Sequence, residues 1–264
     1  MVSSGYYHES LSLDDDSEIS PNGMTCCWRV MKMVHEITSK LFLADGGPHG
    51  LSVAYASKSG GGKTYHFTRL VKSAASQADF KNTRFIYTSI KNESYFDGVT
   101  PTDSVDDVLL KLETDQIVVY YPPEADMYES DIDELIEGVF NLKEQNSGSK
   151  FVIAIDDCNC LDGFNNRGTL SKQVKKLIIA GRSKNVKGCF LCHRLTDLPR
   201  IARGNFSSMV VFNISPMDNE QATKTWGIQF DDYMEGLTDF RWLFVDMVED
   251  KITRYSALPP PSDA

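Results

Sequence analysis

The sequence predicts an α/β fold of the P-loop NTPase type (RecA/ASCE-like): a doubly wound, mostly parallel sheet with short flexible N- and C-terminal extensions. Three observations lead to this fold class. Predicted strands alternate with predicted helices along most of the chain. A glycine-rich loop at 57–64 joins a strand to a helix, and five apolar residues at 151–155 are followed by two carboxylates. Such folds bind their ligands at the carboxyl ends of the strands.

The predicted elements follow one another in a regular order. Residues 1–23 are expected to form a flexible acidic arm, residues 24–256 the P-loop domain, and residues 257–264 a loose tail. Helices are predicted at 24–42, 63–77, 105–112, 131–143, 169–180 and 217–226. Strands are predicted at 51–56, 84–90, 116–121, 151–155, 187–193 and 207–214, with a hairpin formed by 242–248 and 251–255.

Composition and targeting signals point to a globular protein that stays in a reducing, intracellular compartment. Of the 264 residues, 41% are hydrophobic, and no apolar run approaches the ~20 residues that a transmembrane helix needs. Residues 1–18 lack the charged and then apolar layout of a signal peptide. The six cysteines include the vicinal pair Cys26 and Cys27 and do not form a secreted disulfide framework.

The charge distribution is uneven. The net charge is −10, which argues against a protein coated by a basic nucleic-acid surface. The stretch 163–187 nevertheless contains no Asp or Glu, and its seven basic residues are Arg167, Lys172, Lys175, Lys176, Arg182, Lys184 and Lys187. We expect this basic segment to face phosphates or a neighbouring subunit, although a solvated helix face would have the same pattern.

The glycine-rich loop has the composition of a phosphate cradle. Backbone N–H groups of such a loop and of the following helix point at the β-phosphate, and glycines let the backbone approach closely. Lys63 is expected to reach the β- and γ-phosphates, and Thr64 to offer its hydroxyl to Mg²⁺. The predicted nucleotide-binding residues are Ser57, Lys58, Ser59, Gly60, Gly61, Gly62, Lys63 and Thr64.

The loop departs from the G-x4-G-K-[ST] pattern at one position, because Ser57 stands where the first glycine is usual. Serine is compatible with a tight turn. The alternative interpretation is a glycine-rich loop in which Lys-Thr occurs by chance. The strand before the loop and the helix after it favour the phosphate cradle over this alternative.

Two carboxylates follow the strand at 151–155. Asp156 is placed to hold Mg²⁺, directly or through water, and Asp157 to orient or deprotonate an attacking water. The alternative interpretation is a buried strand that happens to end in an Asp-Asp turn.

Four cysteines near strand ends, Cys158, Cys160, Cys189 and Cys192, suggest zinc at first sight. Cys189 and Cys192 are three apart on an extended strand and should face opposite sides, which disfavours a zinc site.

Three blocks together resemble the viral genome-packaging ATPases of the HerA–FtsK superfamily, and in particular their poxvirus-type branch. The blocks are 57–64, 151–157 and 180–215. The third block is the discriminating one, because it combines a Gly-Arg, a strand ending in a polar residue, Asp-Leu-Pro, Arg-Gly-Asn and Phe-Asn-Ile-Ser. The resemblance covers about residues 51–215.

The resemblance implies roles for individual residues. Lys63 and Thr64 would bind nucleotide and Mg²⁺, with Asp156 as the metal-site acid. Asp157 stands where the wider superfamily often has Glu, and His193 stands where a sensor Gln is usual. Arg182 matches the arginine that such ring ATPases offer to a neighbour's γ-phosphate. Arg203 is a second possibility for that role.

The function that the resemblance implies is ATP-driven translocation of double-stranded DNA into a viral capsid, with ATP and Mg²⁺ as cofactors. The implied partners are double-stranded DNA, further copies of the chain in a ring that is expected to be hexameric, and capsid or inner-membrane vertex proteins. The expected location is the host cytoplasm, a virus factory or the virion. The alternatives are a HerA-like helicase, a DNA-transfer pump, and a capsid-docking scaffold with little turnover. A small-molecule kinase is disfavoured because no Arg-rich lid follows the predicted sheet.

Overall fold

The computed structural model describes residues 7–9, 24–43, 52–91, 95–146, 148–164, 168–202, 204–228, 230, 237 and 240–258. Nine strands form one sheet: β1 (Tyr7–Glu9), β2 (Ser52–Ala56), β3 (Thr83–Thr88), β4 (Ile117–Tyr120), β5 (Lys150–Ile155), β6 (Val186–Cys192), β7 (Phe206–Val211), β8 (Trp242–Asp246) and β9 (Lys251–Tyr255). The α-helices are α1 (Met24–Thr38), α2 (Lys63–Ala75), α3 (Val105–Lys111), α4 (Tyr128–Gln145), α5 (Lys172–Ala180) and α6 (Pro216–Trp226).

The order of strands across the sheet is β1-β9-β8-β7-β2-β6-β5-β3-β4. β2 lies between β6 and β7 and is parallel to both. β5 lies between β6 and β3 and is parallel to both. β8 runs antiparallel to β7 and β9. The carboxyl ends of β2, β3, β5 and β6 therefore meet at one edge, as the doubly wound fold requires.

Each face of the sheet is covered by a different set of helices. Along β2, Val53 and Tyr55 pack into one apolar cluster, with Phe67 of α2 and Ile37 of α1. The alternate residues of β2, among them Ala54, pack into the other cluster with side chains of α3, α4, α5 and α6. This alternation follows from the period of two along a strand, and it explains why the central strands are apolar on both faces.

Local sequence explains where several helices begin. The hydroxyls of Ser104, Ser171 and Ser215 accept hydrogen bonds from the backbone N–H groups three residues later, at α3, α5 and α6. These serines act as N-caps, which satisfy donors that would otherwise lack a partner. The prediction of a helix from 169 is therefore corrected to a start at Lys172, after the Ser171 cap.

The predicted α/β architecture is confirmed, including the hairpin of β8 and β9. Within the predicted acidic arm, Tyr7–Glu9 pairs in parallel with β9, and the predicted domain bounds stay predictions. The other residues of the arm, and 259–264 of the predicted tail, lie outside the described residues. None of the helices in the described ranges is long and apolar enough to cross a membrane.

Candidate functional site

The glycine-rich loop is held at its start by the two strands that flank β2. The Ser57 N–H donates to the carbonyl of Cys192 at the end of β6 (3.3 Å), and the Lys58 N–H donates to that of Asn213 after β7 (3.4 Å). The loop then turns tightly, with the Gly61 N–H donating to the Lys58 carbonyl (3.0 Å). These bonds fix the loop at the carboxyl edge of the sheet, where the sequence places it.

Glycine is required in this loop by conformation and by contact. Gly60 and Gly62 have φ values of 73° and 91°, in the left-handed region that side chains rarely adopt. A Cβ on Gly61 would lie 1.9 Å from the Ser57 hydroxyl oxygen. That hydroxyl donates to the Lys58 carbonyl (2.8 Å) and lies over Gly61. Ser57 is therefore accommodated because residue 61 has no side chain.

A cavity of about 680 Å³ opens directly over the loop. Its polar wall is formed by residues 59–64 together with Lys91 and His193, and its apolar wall includes Phe212, Phe240 and Leu258. A volume of this size is typical of sites that hold a cofactor-sized molecule. All loop residues from Ser59 to Thr64 line the cavity, as a phosphate cradle requires.

Asp156 follows β5 and is surrounded by neutral donors. Its Oδ2 atom accepts hydrogen bonds from the Thr64 hydroxyl (2.9 Å) and from the Tyr87 hydroxyl (2.6 Å). Burial, together with the Asp156 charge, raises the pKa of Tyr87, so the phenol stays protonated and donates. Thr64 and Asp156 thus present two adjacent hard oxygens, and this donor set fits Mg²⁺, which takes few protein ligands beside phosphate and water.

Asp157 is the next residue, but its surroundings are cationic. The carboxylate lies 2.7 Å from Lys91 Nζ, 3.2 Å from His193 Nε2 and 3.7 Å from Lys63 Nζ, and its residue is 4% exposed. Burial alone would raise the pKa of Asp157, but the Lys91 hydrogen bond and the charges of Lys63 and Lys91 outweigh it and lower the pKa. Asp157 is therefore ionised, which suits it to accept a hydrogen bond from a water.

The backbone at Asp157 explains why adjacent acids face different partners. Its φ and ψ angles are 49° and 40°, in the left-handed region, which is uncommon for residues other than glycine. Asp156 Oδ1 accepts the Asp157 N–H at 2.9 Å, which fixes this turn. Such conformations are costly and are often retained at functional sites.

The structure brings together most of the residues that the sequence predicts for the site. Lys63, Thr64, Asp156, Asp157 and His193 converge on the cavity or its floor. Their proposed roles stay predictions. Arg182 does not join them: it lies in a short turn just before β6, at the opposite end of that strand from His193, and it is exposed. Arg203 lies outside the described residues.

The predicted basic segment is only partly a surface. Lys172, Lys175, Arg182 and Lys184 are exposed. Lys187 is 2% exposed, and its ammonium donates to the Leu41 carbonyl, so the expectation that it contacts DNA or a subunit is wrong. Lys187 is buried because it is the second residue of β6, which lies between β2 and β5 in the sheet. Arg167 lies outside the described residues.

Two residues of the site were missed by the sequence analysis. Tyr87 lies near the carboxyl end of β3 and Lys91 follows that strand. They contact Asp156 and Asp157 because β3 pairs with β5. Periodicity predicts a strand at 84–90, but it does not say which strand is its neighbour. The polar residue that follows this strand was the available signal for Lys91.

The cysteines near the site face different parts of the core. Cys189 packs in the cluster that contains α1 and α2, whereas Cys158 and Cys192 pack in the cluster on the other face of the sheet. The opposite orientation predicted for Cys189 and Cys192 is therefore confirmed. In the described part of the chain, no group of three or more His, Cys, Asp or Glu side chains is arranged to hold a metal ion.

Solved structures with the same fold include viral packaging enzymes. The genome packaging NTPase B204 from Sulfolobus turreted icosahedral virus 2, with ATP-gammaS, is 16% identical with a TM-score of 0.62, over 81% of this chain and 100% of that chain. The DNA-packaging ATPase B204 from Sulfolobus turreted icosahedral virus is 16% identical with a TM-score of 0.63, over 79% and 98%. The cytoplasmic domain of the type VII secretion ATPase EccC from Thermomonospora curvata is 14% identical with a TM-score of 0.57, over 83% and 26%.

A family model gives the assignment. No curated protein matches the chain at a significant level. The model of the poxvirus A32 protein matches residues 48–234, which include the glycine-rich loop, the two acids after β5, Arg182 and His193. This match confirms the resemblance to the poxvirus-type branch that the three sequence blocks indicate. The chain belongs to the poxvirus A32 protein family.

Proposed function

We propose that this protein is an ATPase that drives double-stranded DNA into a viral capsid. The observation that carries the proposal is the constellation at the carboxyl edge: a phosphate-binding loop with Lys63, an acid paired with Thr64, and a second acid beside His193. Family membership and the shared fold of the B204 packaging ATPases support it.

The residues of the site divide the chemistry among them. Residues 59–63 would hold the phosphates through backbone N–H groups and the Lys63 ammonium. Thr64 and Asp156 would hold Mg²⁺, which neutralises charge on the β- and γ-phosphates when bound. Asp157 would accept a hydrogen bond from the attacking water and orient it, and His193 would contact the water or the γ-phosphate.

Lys63 lies 3.7 Å from Asp157 in this structure, and both side chains are largely buried. When phosphates enter the cradle, the lysine has a stronger anionic partner there. Binding would therefore move Lys63 towards the phosphates and leave the Asp157 carboxylate to act on water. Through this change of partner, nucleotide binding would make the Asp157 carboxylate available to act on water.

The proposed assembly is a ring, and its expected stoichiometry is six. Arg182 lies at the far end of β6 from its own chain's cavity, so it would act on the γ-phosphate of a neighbouring subunit. The exposed residues of the basic segment, Lys172, Lys175 and Lys184, are the proposed contacts to DNA or to the next subunit. Capsid or inner-membrane vertex proteins are the proposed docking partners, in the host cytoplasm, a virus factory or the virion.

One observation favours a second candidate, a nucleotide-binding scaffold with little turnover. Asp157 lies close to the ammonium groups of Lys63 and Lys91 and has a lowered pKa, so it is a weak proton acceptor. A helicase or DNA-transfer pump of the same superfamily would share the site geometry, and only its substrate would differ.

The test is ATP hydrolysis with and without double-stranded DNA, on the wild type and on Lys63→Ala. The proposal predicts turnover that DNA stimulates and that Lys63→Ala abolishes. Lys72→Ala is the matched control, because Lys72 lies on the same helix but pairs with the exposed Asp97. Turnover that is slow and indifferent to DNA would favour the scaffold, and unwinding of a duplex would favour the helicase.

A further inference from the structure

Lys91 lies outside the three sequence blocks, 57–64, 151–157 and 180–215, that carry the family resemblance. Lys91 follows β3. Because β3 pairs with β5, Lys91 lies beside Asp157, which follows β5. Lys91 Nζ is 2.7 Å from Asp157 Oδ2, a shorter distance than those from the carboxylate to Lys63 Nζ (3.7 Å) and to His193 Nε2 (3.2 Å). The Lys91 side chain is 51% exposed, whereas that of Asp157 is 5% exposed. The ammonium therefore covers the buried acid on its open side.

Lys91 also lines the cavity over the phosphate cradle, together with Lys63 and His193. One ammonium thus contacts the buried acid and at the same time borders the space for the nucleotide. Lysine carries three donors on a flexible stem, so it can serve a carboxylate and a phosphate oxygen together.

The charges in the cavity show why a second lysine is needed. Entry of a triphosphate would draw Lys63 to the phosphates and bring several negative charges close to the Asp157 carboxylate. A buried carboxylate that loses its counter-ion is strongly destabilised. His193 can be neutral, so Lys91 is the permanent cation that remains on Asp157.

We propose that Lys91 is a positioning residue of the hydrolysis site, whose ammonium holds Asp157 and at the same time contacts the terminal phosphate of a bound nucleoside triphosphate. The proposal rests on the proposed function, since it assumes that a triphosphate occupies this cavity. A diphosphate lacks the terminal phosphate, so it leaves Lys91 bound to Asp157 alone. Lys91 would therefore distinguish the two nucleotides.

The first test compares the affinities of a non-hydrolysable ATP analogue and of ADP, with Mg²⁺, for the wild type and three variants. Lys91→Met should weaken the analogue about tenfold or more while changing ADP affinity by less than about threefold. Lys91→Arg keeps the charge and should restore most of the analogue affinity. Lys72→Met is the matched control, because Lys72 makes an equally close ion pair, 2.8 Å from Asp97, away from the cavity.

The second test addresses folding and coupling. Lys91→Met alone leaves the buried Asp157 charge poorly compensated, so the double variant Lys91→Met with Asp157→Asn removes both charges. Asp157→Asn alone should bind the triphosphate analogue more tightly than the wild type, since Lys91 no longer serves the acid. Adding Lys91→Met should abolish this gain.

The outcomes separate this inference from the proposed function. If the wild type binds and hydrolyses ATP but Lys91→Met changes analogue and ADP affinities equally, or neither, the role of Lys91 is overturned and the function stands. If the wild type binds neither nucleotide, both are overturned. Selective loss of analogue affinity, with rescue by Lys91→Arg, supports the proposal.

Discussion

The two ends of β6 differ in how their charges are placed. At its carboxyl end, His193 lies with Lys63 and Lys91 around the buried Asp157 carboxylate, which two lysines and the His193 ring contact. At its amino end, Arg182 and Lys184 lie in an exposed turn. The first end is preorganised within one chain, whereas the second faces outward. The comparison shows that the predicted site residues Lys63, Asp157 and His193 meet within one chain, whereas the proposed role of Arg182 requires a second chain.

After Lys63→Ala, the largest expected effect at the preorganised end comes from Asp157→Asn. Loss of the carboxylate removes the group that orients water, so turnover should fall by about 10² to 10⁴. ADP affinity should be kept, because the phosphate cradle is unchanged, and affinity for a triphosphate analogue should rise, since Lys91 no longer serves the acid. Steady-state hydrolysis and equilibrium binding check this, with Asp162→Asn, an exposed acid five residues later, as control. Undiminished turnover in Asp157→Asn would remove this residue from the chemistry.

His66 lies on α2, the helix that follows the glycine-rich loop, and it provides a test of the buried part of the preorganised end. Its ring is 3% exposed, packs 4.4 Å from Trp242, and makes no hydrogen bond within the described part of the chain. Burial, with the Arg69 charge, lowers the pKa of His66 to about 3. The unfolded chain binds this proton below its ordinary pKa of about 6.5, so the folded state loses stability as pH falls from about 6.5 towards 3.

The variant His66→Phe keeps the aromatic packing and removes the titration. Its free energy of unfolding should fall less steeply between pH 6.5 and 4 than that of the wild type, and the two proteins should differ in this slope by about 1.4 kcal/mol per pH unit, as denaturant unfolding at each pH would measure. Carboxylates titrate in both proteins and cancel in the comparison. Parallel stability curves for the two proteins would show that His66 is not the buried neutral group described here.

Gly61→Ala tests the fit between the loop and its unusual serine. The new Cβ would meet the Ser57 hydroxyl at 1.9 Å, so we expect a cost of about 1 to 3 kcal/mol in stability and weaker nucleotide binding. In a Ser57→Gly background most of this cost should vanish, although the Lys58 carbonyl remains at 3.1 Å. Thermal melts of the two single variants and the double variant measure the coupling. Additive effects would contradict the contact.

The smallest effects are expected from the exposed lysines of α5. Replacing Lys172 or Lys175 by Gln should weaken double-stranded DNA binding a few-fold, and each change should lower the slope of log affinity against log salt by ~1. Lys224→Gln is the control, because Lys224 is exposed on α6 and pairs with Glu220. An unchanged salt slope in both variants would place the DNA on another surface.

The sequence predicts the loop, the acids after β5 and most element positions, because these are local patterns of spacing and polarity. Pairing between distant strands is not local. For this reason the contacts of Tyr87 and Lys91 with the two acids were missed, although Tyr87 lies in a predicted strand and Lys91 directly follows it. The burial of Lys187 was missed for the same reason, because its place in a basic run of the sequence does not show that it lies inside the sheet. β1 was missed since three residues that pair with β9 have no pattern of their own.

The central claim is that one chain supplies the site and a neighbour supplies Arg182. The most direct measurement mixes two inactive variants, Lys63→Ala and Arg182→Ala, and follows ATP hydrolysis with double-stranded DNA. A Lys63→Ala subunit can still offer Arg182 to the intact cavity of an Arg182→Ala neighbour. The account predicts that the mixture regains activity, with about a quarter of the interfaces functional in a random ring. A mixture as inactive as either variant alone would contradict it.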